Sequence, residues 1–85
     1  MLAIQVLAFI AEETERLDGF LALTGLERES IREAAREPGF LAGVLEHMLG
    51  NESLLIAFSQ SAGIDPAEIA RAFSALGGKW ERDLP

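Results

Sequence analysis

Apolar residues recur at three- and four-residue spacing along almost the whole chain, and no stretch alternates long enough to form a strand. The pattern divides into six short helices and predicts an all-α fold. The first helix covers roughly residues 2–13. Ile4, Leu7 and Ala11 share one face, while Leu2, Val6, Phe9 and Ile10 cover much of the rest. A helix that is apolar on nearly every side belongs at the centre of a core or in an interface.

Thr14 is placed to cap a second helix, with Leu17, Phe20, Leu21 and Thr24 on its apolar face. Gly25 follows at the position that favours a left-handed turn. Leu26 leads into a third helix containing Ile31, Ala34 and Ala35. Pro38 ends it near Glu37 and suits the first turn of a fourth. That fourth helix presents Phe40, Leu41, Val44, Leu45 and Met48, and Gly50 stops it. Asn51 caps a fifth helix bearing Leu54, Leu55, Phe58 and Ala62, which Gly63 ends. In Asp65-Pro66-Ala67-Glu68, Asp65 is expected to accept from the Glu68 amide while Glu68 reaches back to the cap. The sixth helix carries Ile69, Ala72, Phe73 and Leu76, and Gly77-Gly78 close it. Residues 1–78 form one domain, and residues 79–85 form a tail.

A shift of 38 residues aligns the two halves without gaps. Val6 meets Val44, Leu17 meets Leu55, Phe20 meets Phe58, Gly25 meets Gly63, and Ile31 meets Ile69. These are core and cap positions, as a duplicated three-helix unit requires. Two similar helical units obeying the same packing rules would give the same agreement.

Composition narrows the function classes. The chain has 85 residues, of which 49% are hydrophobic and 25% charged, which describes a folded domain and not a disordered segment. Its net charge of −7 opposes nonspecific association with nucleic acid or anionic membrane. With no cysteine there is no disulfide, thiolate metal site or cysteine nucleophile. The apolar opening run lacks a basic flank, is followed by Glu12 and Glu13, and falls short of the ~20 residues of a membrane span. A cytoplasmic location without membrane attachment is the resulting expectation.

Few residues offer chemistry. His47 is the one side chain whose ordinary pKa lies near neutrality. Without a second histidine or a cysteine to join it, the expectation is no catalytic, metal or cofactor role. Arg28, Arg32 and Arg36 form a stripe on the third helix, but Glu29, Glu33 and Glu37 run beside it and predict a self-neutralised solvated face. Phe58 to Ile69 has the spacing of a DNA-binding helix-turn-helix, with Gly63 at the turn and Ile64 after it. A recognition helix needs basic and amide side chains for phosphates and base edges. The helix after Gly63 offers Asp65, Glu68 and a single Arg71, so the 58–73 unit stands as the alternative reading, with nucleic acid not expected as partner.

Three runs, Phe20–Leu26, Pro38–Leu45 and Asn51–Phe58, resemble a family of short bacterial proteins catalogued as domain of unknown function 3572. Ala3–Ala11 and the Ala62–Pro66 turn are similar too, and the resemblance extends nearly to Leu76. It implies an all-helical cytoplasmic protein, and it supplies no catalytic residues to carry over. The Lys79–Pro85 tail matches least.

The functional expectation is a non-enzymatic interaction module that takes a protein partner or forms a homodimer. Many large apolar residues sit on a chain with little interior to hold them. Leu2, Val6 and Phe9 are the strip expected at the surface. Trp80, after the Gly-Gly pair, is the candidate anchor, because tryptophan is enriched at binding hot spots.

Overall fold

The structure is a computed structural model, and it describes residues 2–77. The helices are α1 (Leu2–Ala11), α2 (Thr14–Thr24), α3 (Ile31–Ala34), α4 (Pro38–Leu49), α5 (Glu52–Ala62) and α6 (Pro66–Ala75). A 3-10 turn over Arg28–Ser30 leads into α3. No strand occurs among the described residues, and the fold is all-α as the spacing predicts. Trp80, with the whole 79–85 tail, lies outside the described residues.

The first and fourth helices form the centre. α4 packs against α1, α5 and α6, and α1 also packs against α2. Val6 and Ile10 from α1 are fully enclosed together with Val44, Leu45 and Met48 from α4. Phe20, Phe58, Ile69 and Phe73 close the core from the flanking helices. Two edge-on aromatic contacts tie the layers together. Phe9 meets Phe58 at 5.3 Å between centroids, and Phe20 meets Phe40 at 5.9 Å.

Gly25 and Gly63 both adopt the left-handed conformation, with φ of 75° and 69°. Each amide donates back into its helix, Gly25 to the Leu21 carbonyl and Gly63 to the Ser59 carbonyl. A side chain at either position would meet no neighbour within 4 Å, so the requirement for glycine is one of backbone conformation and not of space.

The caps depart from expectation in two places. α2 begins at Thr14 itself, and Glu13 takes the extended cap position without a side-chain bond to the helix. The Glu13 carboxylate is drawn instead to Arg16, at 3.6 Å. At α6, Asp65 Oδ1 accepts from the Ala67 amide at 2.9 Å and not from that of Glu68. The Glu68 carboxylate turns forward to Arg71, at 3.2 Å, so the reciprocal half of the capping box is not made. Asn51 does cap α5, its Oδ1 accepting from the Leu54 amide at 3.1 Å.

The two halves match in burial at Val6/Val44 and Phe20/Phe58, and in φ at Gly25/Gly63. They diverge at the third helix. α3 has 4 residues where α6 has 10. Pro38 forbids the first half from extending α3, because it pushes Glu37 out of helical geometry, to ψ 124°. The equivalent position in the second half is Leu76, which imposes no such stop.

Candidate interaction surfaces

The strip Leu2, Val6, Phe9 is not a surface. Val6 is 0% exposed and Phe9 only 9%. Leu2 is partly buried against the core. α1 turns Ala3, Val6, Leu7 and Ile10 inward and leaves Ile4, Gln5, Ala8 and Ala11 outside. Of the face shared by Ile4, Leu7 and Ala11, only Leu7 is turned inward. The cause lies in Phe9. Its ring is held edge-on by Phe58 and covered on one face by Arg16, whose guanidinium carbon stands 4.1 Å from the ring centroid. Holding Phe9 inside fixes the rotation of the whole helix, since its apolar residues elsewhere give little preference between faces.

Among the described residues the large apolar side chains left outside are Ile4 at 41%, Ile56 at 45% and Leu23 at 76% exposure. Leu23 is the most exposed, and its surroundings are the most shaped. It stands on the wall of an open groove of about 490 Å³, with Glu46, His47, Gly50, Asn51, Glu52 and Ser53 opposite. A second hollow of about 250 Å³ continues from it, sharing Leu23, His47 and Asn51 and reaching Glu15, Arg16, Gly19, Phe20 and Leu54. The groove thus runs between the outer edge of α2 and the turn joining α4 to α5.

His47 forms part of its floor. The imidazole packs edge-on against Phe20, with centroids 5.1 Å apart. Burial penalises the charged form and pushes its pKa below the ordinary value, so the ring is neutral near pH 7. Ser53 and Glu46 line the same groove, yet no hydrogen bond joins His47 to either among the described residues. No group of three or more potential metal ligands converges among the described residues.

The arginine stripe behaves otherwise than expected. Arg28 leaves it and pairs with Asp18 on α2 at 2.7 Å, tying the 3-10 turn to the body. Neither Glu29–Arg32 nor Glu33–Arg36 closes into an ion pair among the described residues. In the helix-turn-helix-like unit the turn glycine and the buried Ile69 take their expected places. The arginine of α6, however, is engaged by Glu68 on the same helix.

Over residues 1–79 the sequence matches the family described as Protein of unknown function (DUF3572). The chain belongs to that family. No curated protein and no solved structure matches it. The family agrees with the resemblance read from the helix-packing runs, and the match extends through α6. No helix among the described residues is long and apolar enough to cross a membrane.

Leu23 was present in the sequence as a leucine lying off the stripe of Leu17, Phe20, Leu21 and Thr24. Ile56 likewise lies off the stripe of Leu54, Leu55 and Phe58. A large aliphatic residue on the polar side of an amphipathic helix is the available signal, and it points to Leu23 and Ile56 where the apolar density of α1 does not.

Proposed function

We propose that this chain is a non-enzymatic interaction module that docks another polypeptide on apolar side chains left outside its core. The observation that carries this reading is Leu23, 76% exposed on the wall of a groove. A small domain with a complete core gains nothing in stability from a leucine in water, whereas a partner that covers it gains the transfer free energy of the side chain. The non-enzymatic part is supported by His47. Its imidazole packs against Phe20 and, among the described residues, has neither a nucleophile nor an orienting acid in hydrogen-bond contact.

The nucleic-acid alternative has less support. The exposed face of the 58–73 unit carries Asp65 and Glu68, and its Arg71 is already paired. Both acids sit where a recognition helix would enter the groove of DNA.

Capture from a native cell extract tests the reading. The wild-type chain should retain a protein, or a second copy of itself, in stoichiometric amount. A chain carrying Ile4→Ser, Leu23→Ser and Ile56→Ser should release it while keeping its helical spectrum. Equal retention by both chains would contradict docking through these side chains.

A further inference from the structure

We infer that the groove between α2 and the α4–α5 turn takes a basic, amphipathic segment of a partner protein, seated on Leu23 and ringed by the carboxylates of Glu15, Glu46 and Glu52. This rests on the interaction reading above and names the chemistry of the partner.

The apolar part comes first. Phe20 and Leu54 underlie the groove, both buried, and the His47 ring continues that floor. Leu23 rises beside them into solvent. A groove open along its length leaves a small molecule with too much surface in water, since ligand clefts enclose most of their ligand. An extended or helical segment laid along it covers Leu23 with one apolar side chain and keeps its other face wet.

Charge selects the segment. Glu15, Glu46 and Glu52 line the two hollows, and none of them has an ion-pair partner among the described residues. The one cation among the described residues of the lining, Arg16, is spent elsewhere. It donates to the Phe9 carbonyl at 3.1 Å, covers the Phe9 ring and pairs with Glu13. The N-terminus of α5 enters the groove, but Asn51 occupies the Leu54 amide and Glu52 stands in the first turn, so this end is not open to an anion. An apolar strip bordered by unpaired carboxylates complements apolar residues flanked by Lys or Arg.

The same charge argues against a second copy. Two chains of net charge −7 repel one another. Among the described residues the arginines without an ion pair, Arg32 and Arg36, are interleaved with Glu29, Glu33 and Glu37 and present no basic face. A partner of opposite sign is also steered to the groove over distances comparable with the Debye length.

The test uses the full chain and a synthetic Lys/Leu amphipathic peptide of about four helical turns as probe. The chain has one histidine, so the His47 imidazole resonance reports on the groove alone. Titration should shift that resonance and the Leu23 methyl signals together, with an affinity that falls as salt is raised. Leu23→Ser should weaken binding about tenfold, the effect of losing one buried leucine. Replacing Glu15, Glu46 and Glu52 together by Gln should weaken it by at least as much. Replacing Glu29, Glu33 and Glu37 by Gln changes the net charge equally, and should leave binding within about twofold.

Equal loss from the two triple variants would overturn the proposal, because attraction would then follow net charge and not the groove. Unmoved His47 and Leu23 signals would overturn it as well. A shift that depends on protein concentration without peptide would replace the basic partner by a second copy. If Ile4→Ser or Ile56→Ser abolishes capture from extract while Leu23→Ser does not, the groove assignment falls and the interaction reading stands.

Discussion

The imidazole of His47 stands edge-on to the ring of Phe20, with the two planes at 73° and the centroids 5.1 Å apart. Phe20 is a core residue and His47 is half-buried, so this contact joins the interior to the floor of the groove. It also makes stability depend on pH. Burial lowers the pKa of His47 in the folded chain below 6.5. As the pH falls through that value the unfolded chain takes up a proton that the folded chain resists, so stability declines. The contribution is fully present above about pH 7 and is lost progressively below about pH 6.5. His47→Gln should flatten the dependence of the urea midpoint between about pH 7 and pH 5.5. An unchanged slope would show that the imidazole is not desolvated.

Phe20 and Phe58 occupy equivalent places, each in the core and each five residues before a left-handed glycine. Replacing either by Ala should cost about 3–5 kcal/mol, a large fraction of the stability of so small a domain. Urea denaturation followed by circular dichroism measures this. Midpoints unchanged in both variants would place neither ring in the core.

Arg16 covers the end of α1. It donates to the Phe9 carbonyl, which also accepts from the Glu12 amide, and lays its charge over the Phe9 ring. Arg16→Ala should destabilise by about 1–2 kcal/mol and expose Phe9. Arg16→Lys should recover only part of this, because the ammonium lacks the planar fork. Glu13→Gln should change stability by under about 0.5 kcal/mol, since that carboxylate is well exposed. Thermal or urea midpoints of the three variants give the ranking directly.

Ser59 buries a hydroxyl that has no hydrogen-bond partner among the described residues. An unsatisfied buried oxygen costs roughly 1–3 kcal/mol, and the methyl group of alanine carries no such cost. Ser59→Ala should therefore leave stability unchanged or raise it by about 1 kcal/mol. Its backbone role, accepting from the Gly63 and Ile64 amides, is unaffected. A clear loss of stability would mean that the hydroxyl has a partner in solution.

The helices and their order follow from local rules that one sequence carries in full: stripes at helical spacing, prolines at entries and glycines at exits. Pro38, Asn51, Pro66 and Gly25 act on their own few neighbours, and each is legible alone. The rotation of α1 is not local. Its apolar residues fit either way, and the choice falls to Phe9, which is held by Phe58 from 49 residues further along the chain. That contact exists only after the fold forms, so the sequence alone points to Leu2, Val6, Phe9 as surface, whereas Val6 and Phe9 are interior and Leu2 is partly buried. Asp65 caps α6 through the Ala67 amide, but the reciprocal half of its capping box is lost to a competitor. Glu68 has two possible partners within one turn, and the cation one turn ahead wins over the backbone behind. The groove at Leu23 combines α2 with the α4–α5 turn, a juxtaposition that no stretch of sequence contains.

The most direct measurement is calorimetric titration of the captured partner, or of a second copy if one is captured, against the wild-type chain and the Leu23→Ser chain. Leu23 lies 76% exposed, so its replacement leaves the melting midpoint in place. The account predicts binding about tenfold weaker in the variant, with a smaller negative heat-capacity change from the apolar surface no longer buried. Equal affinity and equal heat-capacity change in the two chains would contradict it.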